Sequence, residues 1–404
     1  MTKKNLIYKN KIFKKHLDTK YENIFSKKIR EIFNNINNEI ENPEETLNVL
    51  SNSYKFNFSL QDLKKFRKYK SIAIIGMGGS ILGAEAIFEL FKKKIKKNFY
   101  FLDDLNSEKI LNFKKKKLSS ILFVVISKSG NTAETISNLF ALKIITNKSK
   151  NIIIITEKKE NLIYSLSKKY NLFYIQHKSH VGGRYSVLSE VGIVPTFLMG
   201  LNIKKLRANI SSFLKKSKKQ FLKESSIKLA CLLKKKRITN MIFLNYTPEL
   251  EKFLFWCQQL IAESLGKKET GFLPVISNNP KDHHSLLQLY LDGKKDKIFY
   301  IFSTNFSKKV KINTSKITKK NFYLNKKSLS EIKYFQKEAL KKVFEKNKIP
   351  YREFNIKKLN ESVLGELFSY FILETVIIAK LININPFDQP AVEQVKIFTK
   401  KLLN

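Results

Sequence analysis

Residues 121–135 read ILFVVISKSGNTAET, and the fold can be worked out from that run. Ile121–Ile126 is a short, unbroken apolar run rich in β-branched side chains, the pattern of a strand buried on both faces. Four hydroxyls follow it, at Ser127, Ser129, Thr132 and Thr135, with Lys128, Gly130 and Asn131 between them. Ile136, Leu139, Phe140 and Ile144 then recur at helical spacing and mark the buried stripe of a helix. A strand that passes through a hydroxyl-rich turn into a helix makes a phosphate cradle. The hydroxyls and the first helical N–H groups donate to a dianion, and the helix dipole adds to them. A capping box, Asn131 with Glu134 three residues on, is the competing use of the same side chains.

The pattern repeats in both directions. Apolar runs at 72–75, 99–102, 152–155 and 172–175 alternate with helical stretches, the spacing of a parallel sheet with crossover helices. A Lys-rich amphipathic helix with Ile210, Phe213, Leu214 and Phe221 on one face follows. A second series has strands at 241–244, 271–277, 298–302 and 351–354, and helices at 329–347 and Glu361–Leu381. The fold class is α/β: two tandem α/β/α sandwich domains with parallel sheets, at 66–205 and 206–404, the second ending in a helix. Ligands are expected beyond the carboxyl ends of the strands. Residues 1–65 read as a polar, Lys- and Asn-rich helical extension, with a helix over 27–41 and no usable motif.

A chain of 404 residues with 43% hydrophobic content can bury two cores. Cys231 and Cys257 lie in apolar, helix-like contexts without Cys-x-x-Cys spacing, which supports neither a disulfide framework nor a structural zinc, and points to a reducing cytoplasm. The N-terminus has no apolar signal region, and no run of about 18 apolar residues occurs, so neither export nor a membrane span is expected. The formal net charge of +43 raises nucleic-acid binding. Only six of the 77 basic residues are Arg, however, and the Lys are spread along the chain among abundant Asn, Ile and Phe. That is the residue mixture an AT-rich coding sequence produces, so the charge is read as solvated surface that steers phosphorylated substrates rather than as a nucleic-acid interface.

Five further segments carry chemistry. Gly76-Met77-Gly78-Gly79-Ser80-Ile81-Leu82-Gly83 joins the first strand of the series to a helix, so the backbone there can approach a ligand. A dinucleotide site fits poorly, because Ile81 displaces the third glycine of the fingerprint and Asp103 and Asp104 sit in a poorly matching turn. Arg184 follows Gly182 and Gly183, which let the chain turn sharply and carry the guanidinium inward, either to stabilise developing negative charge or as a structural ion pair. Phe253, Trp256, Cys257, Leu260 and Ile261 form a helical stripe, with Glu263 on its flank in the last turn. A carboxylate there opposes the helix dipole, which raises its basicity. A solvated helix end neutralised by Lys267 and Lys268 is the alternative.

His283 and His284 would point about 100° apart on a helix and have no HExxH or Cys partner, so no metal is expected there. After Pro390, Gln389 and Lys396 are seven residues apart and would share one helix face about 10 Å apart axially, close enough for one substrate to bridge them.

The stretch 381–396, LININPFDQPAVEQVK, closely resembles the C-terminal signature of the glucose-6-phosphate isomerases, Phe-Asp-Gln-x-Gly-Val-Glu-x-x-Lys, with Ala391 in place of the glycine. Residues 127–135 resemble the phosphosugar loop of sugar isomerase (SIS) domains, 182–186 the family's Gly-Gly-Arg-[Tyr/Phe]-Ser, and 262–267 the segment that holds its proton-shuttling Glu. His284 matches its ring-opening His. The resemblance covers roughly residues 71–400. It implies a SIS-type fold and reversible aldose–ketose isomerisation of glucose 6-phosphate and fructose 6-phosphate through an enediolate, a step of glycolysis and gluconeogenesis, without cofactor or metal.

It further implies that Gly79, Ser80, Ser127, Lys128, Ser129, Thr132, Thr135 and Gln389 bind substrate and that Glu263, His284, Lys396 and Arg184 are catalytic. The His comes from a neighbouring subunit, so a homodimer follows. A bifunctional phosphoglucose/phosphomannose isomerase would share most of these residues. A non-catalytic SIS-type sensor would need the hydroxyl loop but not Glu263, His284 and Lys396.

Overall fold

The structure is a computed structural model and describes residues 5–305, 310–314 and 322–403. Its strands, in chain order, are β1 (Leu6–Lys11), β2 (Ser71–Ile75), β3 (Asn98–Leu102), β4 (Ile121–Ile126), β5 (Ile152–Thr156) and β6 (Phe173–Gln176), then β7 (Asn240–Asn245), β8 (Leu273–Asn278), β9 (Lys297–Thr304) and β10 (Tyr351–Ile356). The helices that bear on the site are α1 (Thr19–Glu41), α2 (Leu82–Phe91), α3 (Ala133–Leu142), α4 (Lys216–Lys235), α5 (Glu251–Leu265), α6 (Leu329–Lys346), α7 (Glu361–Leu381) and α8 (Ala391–Leu403).

The first sheet has the order β3-β2-β4-β5-β6 and is parallel throughout. Period-two alternation divides its side chains between two cores. Ile72, Ile74, Leu122, Val124 and Ile126 face the large central core, while Ala73, Ile75, Phe123 and Val125 face an outer one. Both faces are thereby covered, as a parallel sheet requires. The strand order reverses direction between β2 and β4, so the turns after those two strands flank a topological switch point.

The second sheet has the order β1-β10-β9-β7-β8. Its inner face, with Met241, Phe243, Tyr300 and Phe302, joins the same central core, and its outer face has a separate one. Helix α7 runs through the central core with nearly every residue buried, which explains why its sequence is apolar on all sides. It is long and apolar enough to cross a membrane, but 94% of its apolar window is buried within the protein. Helix α5 packs against α2 on one side and α7 on the other, so it lies at the seam between the two sheets.

Several sequence-based expectations change. The first 65 residues are not a helical extension alone: β1 pairs antiparallel with β10, Leu6 opposite Ile356 and Lys11 opposite Tyr351, and makes the second sheet mixed. The helix expected over 27–41 starts earlier, at Thr19, where Asp18 caps it. The expected amphipathic helix is broken, with Ser212–Leu214 forming a separate short turn before α4 begins at Lys216. Strand β8 starts at Leu273 rather than 271, because Gly271 has φ +136° and cannot continue an extended ladder.

Candidate active site

The turn after β2 and the turn after β4 meet at the carboxyl edge of the first sheet. A Cβ on Gly76 would lie 2.9 Å from the Ile126 carbonyl oxygen, so only glycine lets the two turns approach this closely. In the second turn, Ser127 Oγ lies 3.0 Å from Thr132 Oγ1 and accepts the Gly130 N–H at 3.2 Å. Ser129 Oγ stands 3.5 Å from the same threonine hydroxyl. Gly130 has φ +66°, and a Cβ there would collide with Asn161.

The capping-box alternative fails. Thr132, not Asn131, precedes α3, and Asn131 Oδ1 accepts the N–H of Leu162 instead. The first N–H groups of α3 have no acceptor within the helix and face the hydroxyl turn. Thr135 is buried below this turn, its hydroxyl without a partner among the described residues. Ser80, also buried, ends the neighbouring Gly78–Ser80 turn.

Lys128 is not a free cation. Its ammonium stands 3.7 Å from Glu157, just past β5, and burial pushes its pKa down while Glu157 opposes the shift. Asp103 and Asp104, the acidic residues of the rejected dinucleotide reading, both pair with Lys109 on the surface.

Arg184 joins the two halves of the site. Its side chain is 1% exposed, and all five N–H donors have acceptors. Nε donates to Ser264 Oγ at 2.8 Å, and Nη1 to Glu263 Oε2 at 3.1 Å and to Gln389 Oε1. Nη2 donates to the carbonyls of Pro386 at 2.6 Å and Asp388 at 3.0 Å. Both readings of Arg184 therefore hold: it is a structural ion pair and it is also placed beside the carboxylate. The turn that carries it is fixed from two directions, by Trp256 Nε1 donating to the Arg184 carbonyl and by Gly79 packing against Gly183.

Glu263 lies in the last turn of α5, as its position in the sequence suggests. Its second oxygen accepts from Gln259 Nε2 at 3.0 Å, so each carboxylate oxygen has one donor. Gln259 is one turn earlier on the same helix face and also lies under Gly78, whose absent Cβ leaves room for the amide. No sequence motif points to Gln259. Its one signal is its i−4 spacing from Glu263 on the flank of a buried stripe. Ser264 and Tyr185 lie within the segments 262–267 and 182–186 but have no role assigned from the sequence; their hydroxyls lie 2.7 Å apart and support Arg184 from below.

Two predicted residues are placed differently from the expectation. Gln389 precedes α8 rather than lying on it, and its side chain turns inward to Arg184. Lys396 lies on α8, a helix with no buried residue, and its ammonium pairs with Glu393 at 2.5 Å. Gln389 and Lys396 therefore do not share one helix face. Ala391 is exposed and meets no crowding backbone, so the exchange of glycine for alanine is accommodated there.

His284 is also exposed, in the Lys281–His284 turn past β8. It lies past the carboxyl end of β8, whereas the Glu263 end of α5 runs beside that strand's amino end, where Gln258 Nε2 donates to the Pro274 carbonyl at 2.7 Å. The start of α5 is tied to the carboxyl end, because Asn278 at the end of β8 donates to Glu251 at 2.6 Å. Glu263 is twelve residues further along the helix, roughly 18 Å away at 1.5 Å per residue. His283 is a local hydrogen-bond partner, 2.7 Å from the Tyr246 hydroxyl.

A family model described as phosphoglucose isomerase matches residues 61–404. The chain belongs to the phosphoglucose isomerase family. Similar family members include a glucose-6-phosphate isomerase of Methanocaldococcus jannaschii, 31% identical over 356 residues that cover 85% of this chain and 87% of the relative. One from Campylobacter jejuni is 31% identical over 367 residues, covering 86% and 88%. In fold, the chain is similar to a hypothetical protein of Thermus thermophilus, with TM-score 0.81 and 23% identity over 98% of this chain and 100% of that one. It is also similar to a glucose-6-phosphate isomerase of Chlamydia trachomatis, with TM-score 0.74 and 17% identity over 99% and 88%.

Proposed function

We propose that this chain interconverts glucose 6-phosphate and fructose 6-phosphate, in the cytoplasm and as a homodimer. The observation that carries the reading is the Glu263 carboxylate, held between Arg184 and Gln259 where the two sheets meet, next to a turn of unpaired hydroxyl capacity. A sensor that only binds sugar phosphate has no use for a carboxylate oriented in this way.

The phosphate binds at Ser127, Ser129 and Thr132, against the start of α3, with Ser80 and Gly79 bordering it and Thr135 beneath. Neutral donors and the helix dipole suffice for a dianion. Binding there leaves the sugar carbons to reach towards Glu263, which removes the proton from carbon 2 and returns it at carbon 1. One base serves both carbons because they are neighbours on one face of a planar enediolate. Arg184 stabilises the negative charge on that intermediate and needs no reorganisation, since its other contacts already fix it. Gln389, held by the same guanidinium, lines the rim.

Ring opening falls to His284 of the partner subunit, because the His284 of the same chain lies past the carboxyl end of β8, towards the other end of α5 from Glu263. Lys396 assists once α8 settles over the cleft. The two cysteines are buried and unpaired, which suits a reducing compartment.

The test is a coupled assay of glucose 6-phosphate formation from fructose 6-phosphate, with Glu263→Gln as control. The expected result is turnover by the native chain and loss of about 100-fold or more in the variant. Absence of turnover in the native chain, or a fully active variant, defeats the reading.

A further inference from the structure

The segment 385–389, which links α7 to α8, is gripped from two sides. Arg184 holds it from within, through the carbonyls of Pro386 and Asp388 and the side chain of Gln389. Lys267, two residues past the end of α5, holds it from the other side. The Lys267 ammonium donates to the Asn385 carbonyl and lies 2.9 Å from the Asp388 carboxylate. Its side chain is 12% exposed and that of Asp388 is 51% exposed, so this grip can be reached by water and salt while the Arg184 grip cannot.

Helix α8 makes this grip consequential. None of its described residues is buried, although Val392, Val395, Phe398 and Leu402 lie within one arc of its surface. A helix of this length is marginal on its own, and no packing against the body fixes its direction. The direction comes from the chain that leads into it. The Val392 N–H donates to the Gln389 carbonyl and the Glu393 N–H to the Pro390 carbonyl, so the first turn of α8 grows directly out of the gripped segment. Beneath lies a cleft of ≈ 950 Å³ bordered by Glu263, Lys267, Thr270, Asp388, Gln389 and Val392. The Lys267–Asp388 contact crosses its wall.

We propose that Lys267 is a positioning residue: by strapping Asn385 and Asp388 to the end of α5, it fixes where α8 leaves the body, keeps Gln389 against Arg184, and sets the path by which Lys396 reaches the cleft. The strap rests on the isomerase reading for its effect on turnover. As a mechanical contact it stands independently of that reading. Lys267 touches no reacting atom. Without it the segment stays held only from its inner side, by Arg184, by the Tyr185 hydroxyl on the Pro386 carbonyl at 2.9 Å and by the Phe387 ring against Tyr185, and its outer side at Asn385 and the Asp388 carboxylate is left unheld. A lysine suits the task because a single ammonium on a flexible stem can serve two acceptors three residues apart.

The experiment compares Lys267→Met, Lys267→Arg, Asp388→Ala and the Met/Ala double variant with the native chain. Lys267→Met keeps the aliphatic stem and removes the charge. It should lower kcat by about tenfold or more while KM for fructose 6-phosphate changes by less than about threefold, because the phosphate turn belongs to the other sheet. Lys267→Arg should recover most of the loss, and the double variant should be no worse than the poorer single variant. Hydrogen–deuterium exchange over 384–392 should accelerate in Lys267→Met while 121–142 is unchanged.

Unaltered kcat and exchange in Lys267→Met overturn the proposal, as does acceleration spread over the whole chain, which makes Lys267 merely structural. If the native chain turns over neither sugar phosphate, the isomerase reading fails, and the exchange of 384–392 alone decides the strap.

Discussion

A Cβ on Gly79 would stand 2.2 Å from the carbonyl carbon of Gly183 and 2.4 Å from the Arg184 nitrogen. Both are backbone atoms and cannot swing aside, so this contact sets how closely the phosphate-side turn approaches the turn that carries Arg184. The reverse substitution meets no obstacle: a Cβ on Gly183 has its nearest neighbour at 3.8 Å. Gly79→Ala should therefore cost roughly 1–3 kcal/mol of stability and displace the guanidinium. Gly183→Ala should leave both stability and turnover near native. Thermal melts and the isomerase assay on the pair check this, and equal effects would show that the approach at Gly79 does not matter.

Arg184 and Glu263 form an ion pair, but their removal should look different. Arg184→Lys exchanges a five-donor fork for a point cation and takes their donor from part-buried acceptors, including the Asp388 carbonyl and the Gln389 amide oxygen. A loss of about 3–5 kcal/mol is expected, together with loss of turnover. Glu263→Gln leaves Arg184 with its other four acceptors and should melt within about 1 kcal/mol of native while losing turnover. Denaturant titration of the two variants separates a residue that holds the site together from one that works in it.

Much of this was legible in the chain. The central strands β2, β4, β5, β7 and β9 stand out because parallel strands buried on both faces read as apolar runs. Glu263 and the hydroxyl turn stand out because each adjoins such a run or a clean helical stripe. The first strand does not. LIYKNK is short and half polar, because it pairs at a sheet edge with β10, and its partner lies some 340 residues away in sequence.

The seven-residue spacing of Gln389 and Lys396 misled for a different reason. Helical spacing says which residues share a face but not where the helix begins, and Pro390 places Gln389 outside it. Gln259 carries no local signal because its importance lies in a tertiary neighbour, Gly78, and Lys267, read from the sequence as a neutraliser of the helix end, pairs instead with Asp388.

The phosphate turn offers a kinetic signature. Ser127 and Thr132 face each other at 3.0 Å with no charged group between them. On the proposed phosphate site, changing both to Ala removes two neutral donors from a contact made equally in ground and transition states. KM for fructose 6-phosphate should rise about tenfold or more with kcat within about threefold of native. A fall in kcat at unchanged KM would move the phosphate elsewhere.

His177, just past β6, makes stability depend on pH. It is 2% exposed, its Nδ1 bonds the Lys178 carbonyl at 2.9 Å, and its Nε2 has no partner among the described residues. Burial, the dominant cause, pushes its pKa from 6.5 down to about 4. Between those values the unfolded chain binds a proton that the folded chain refuses, so stability rises with pH across that window. The contribution is complete above the ordinary value of 6.5 and is lost as pH falls towards 4, amounting to about 3 kcal/mol. His177→Gln should flatten the melting temperature between pH 6.5 and 4 relative to native. A variant with the native slope would assign the dependence to other groups.

The separation of Glu263 and His284 across one sheet makes the strongest demand on assembly. Glu251 at one end of α5 is bonded to Asn278, six residues before His284, while Glu263 sits near the other end. The two residues therefore stand towards opposite ends of α5, and on the proposed reading the Glu263 and His284 that serve one reaction come from different copies. Glu263→Gln and His284→Gln homodimers should each be inactive. When the two are unfolded together and refolded, half of the dimers should be mixed. In each mixed dimer one site joins the native Glu263 of one copy to the native His284 of the other, and its counterpart carries both substitutions. Activity should therefore return to about a quarter of native under random pairing of a two-fold dimer. No recovery, with mixed dimers confirmed by mass, would place both residues in sites built from a single chain or remove His284 from the reaction.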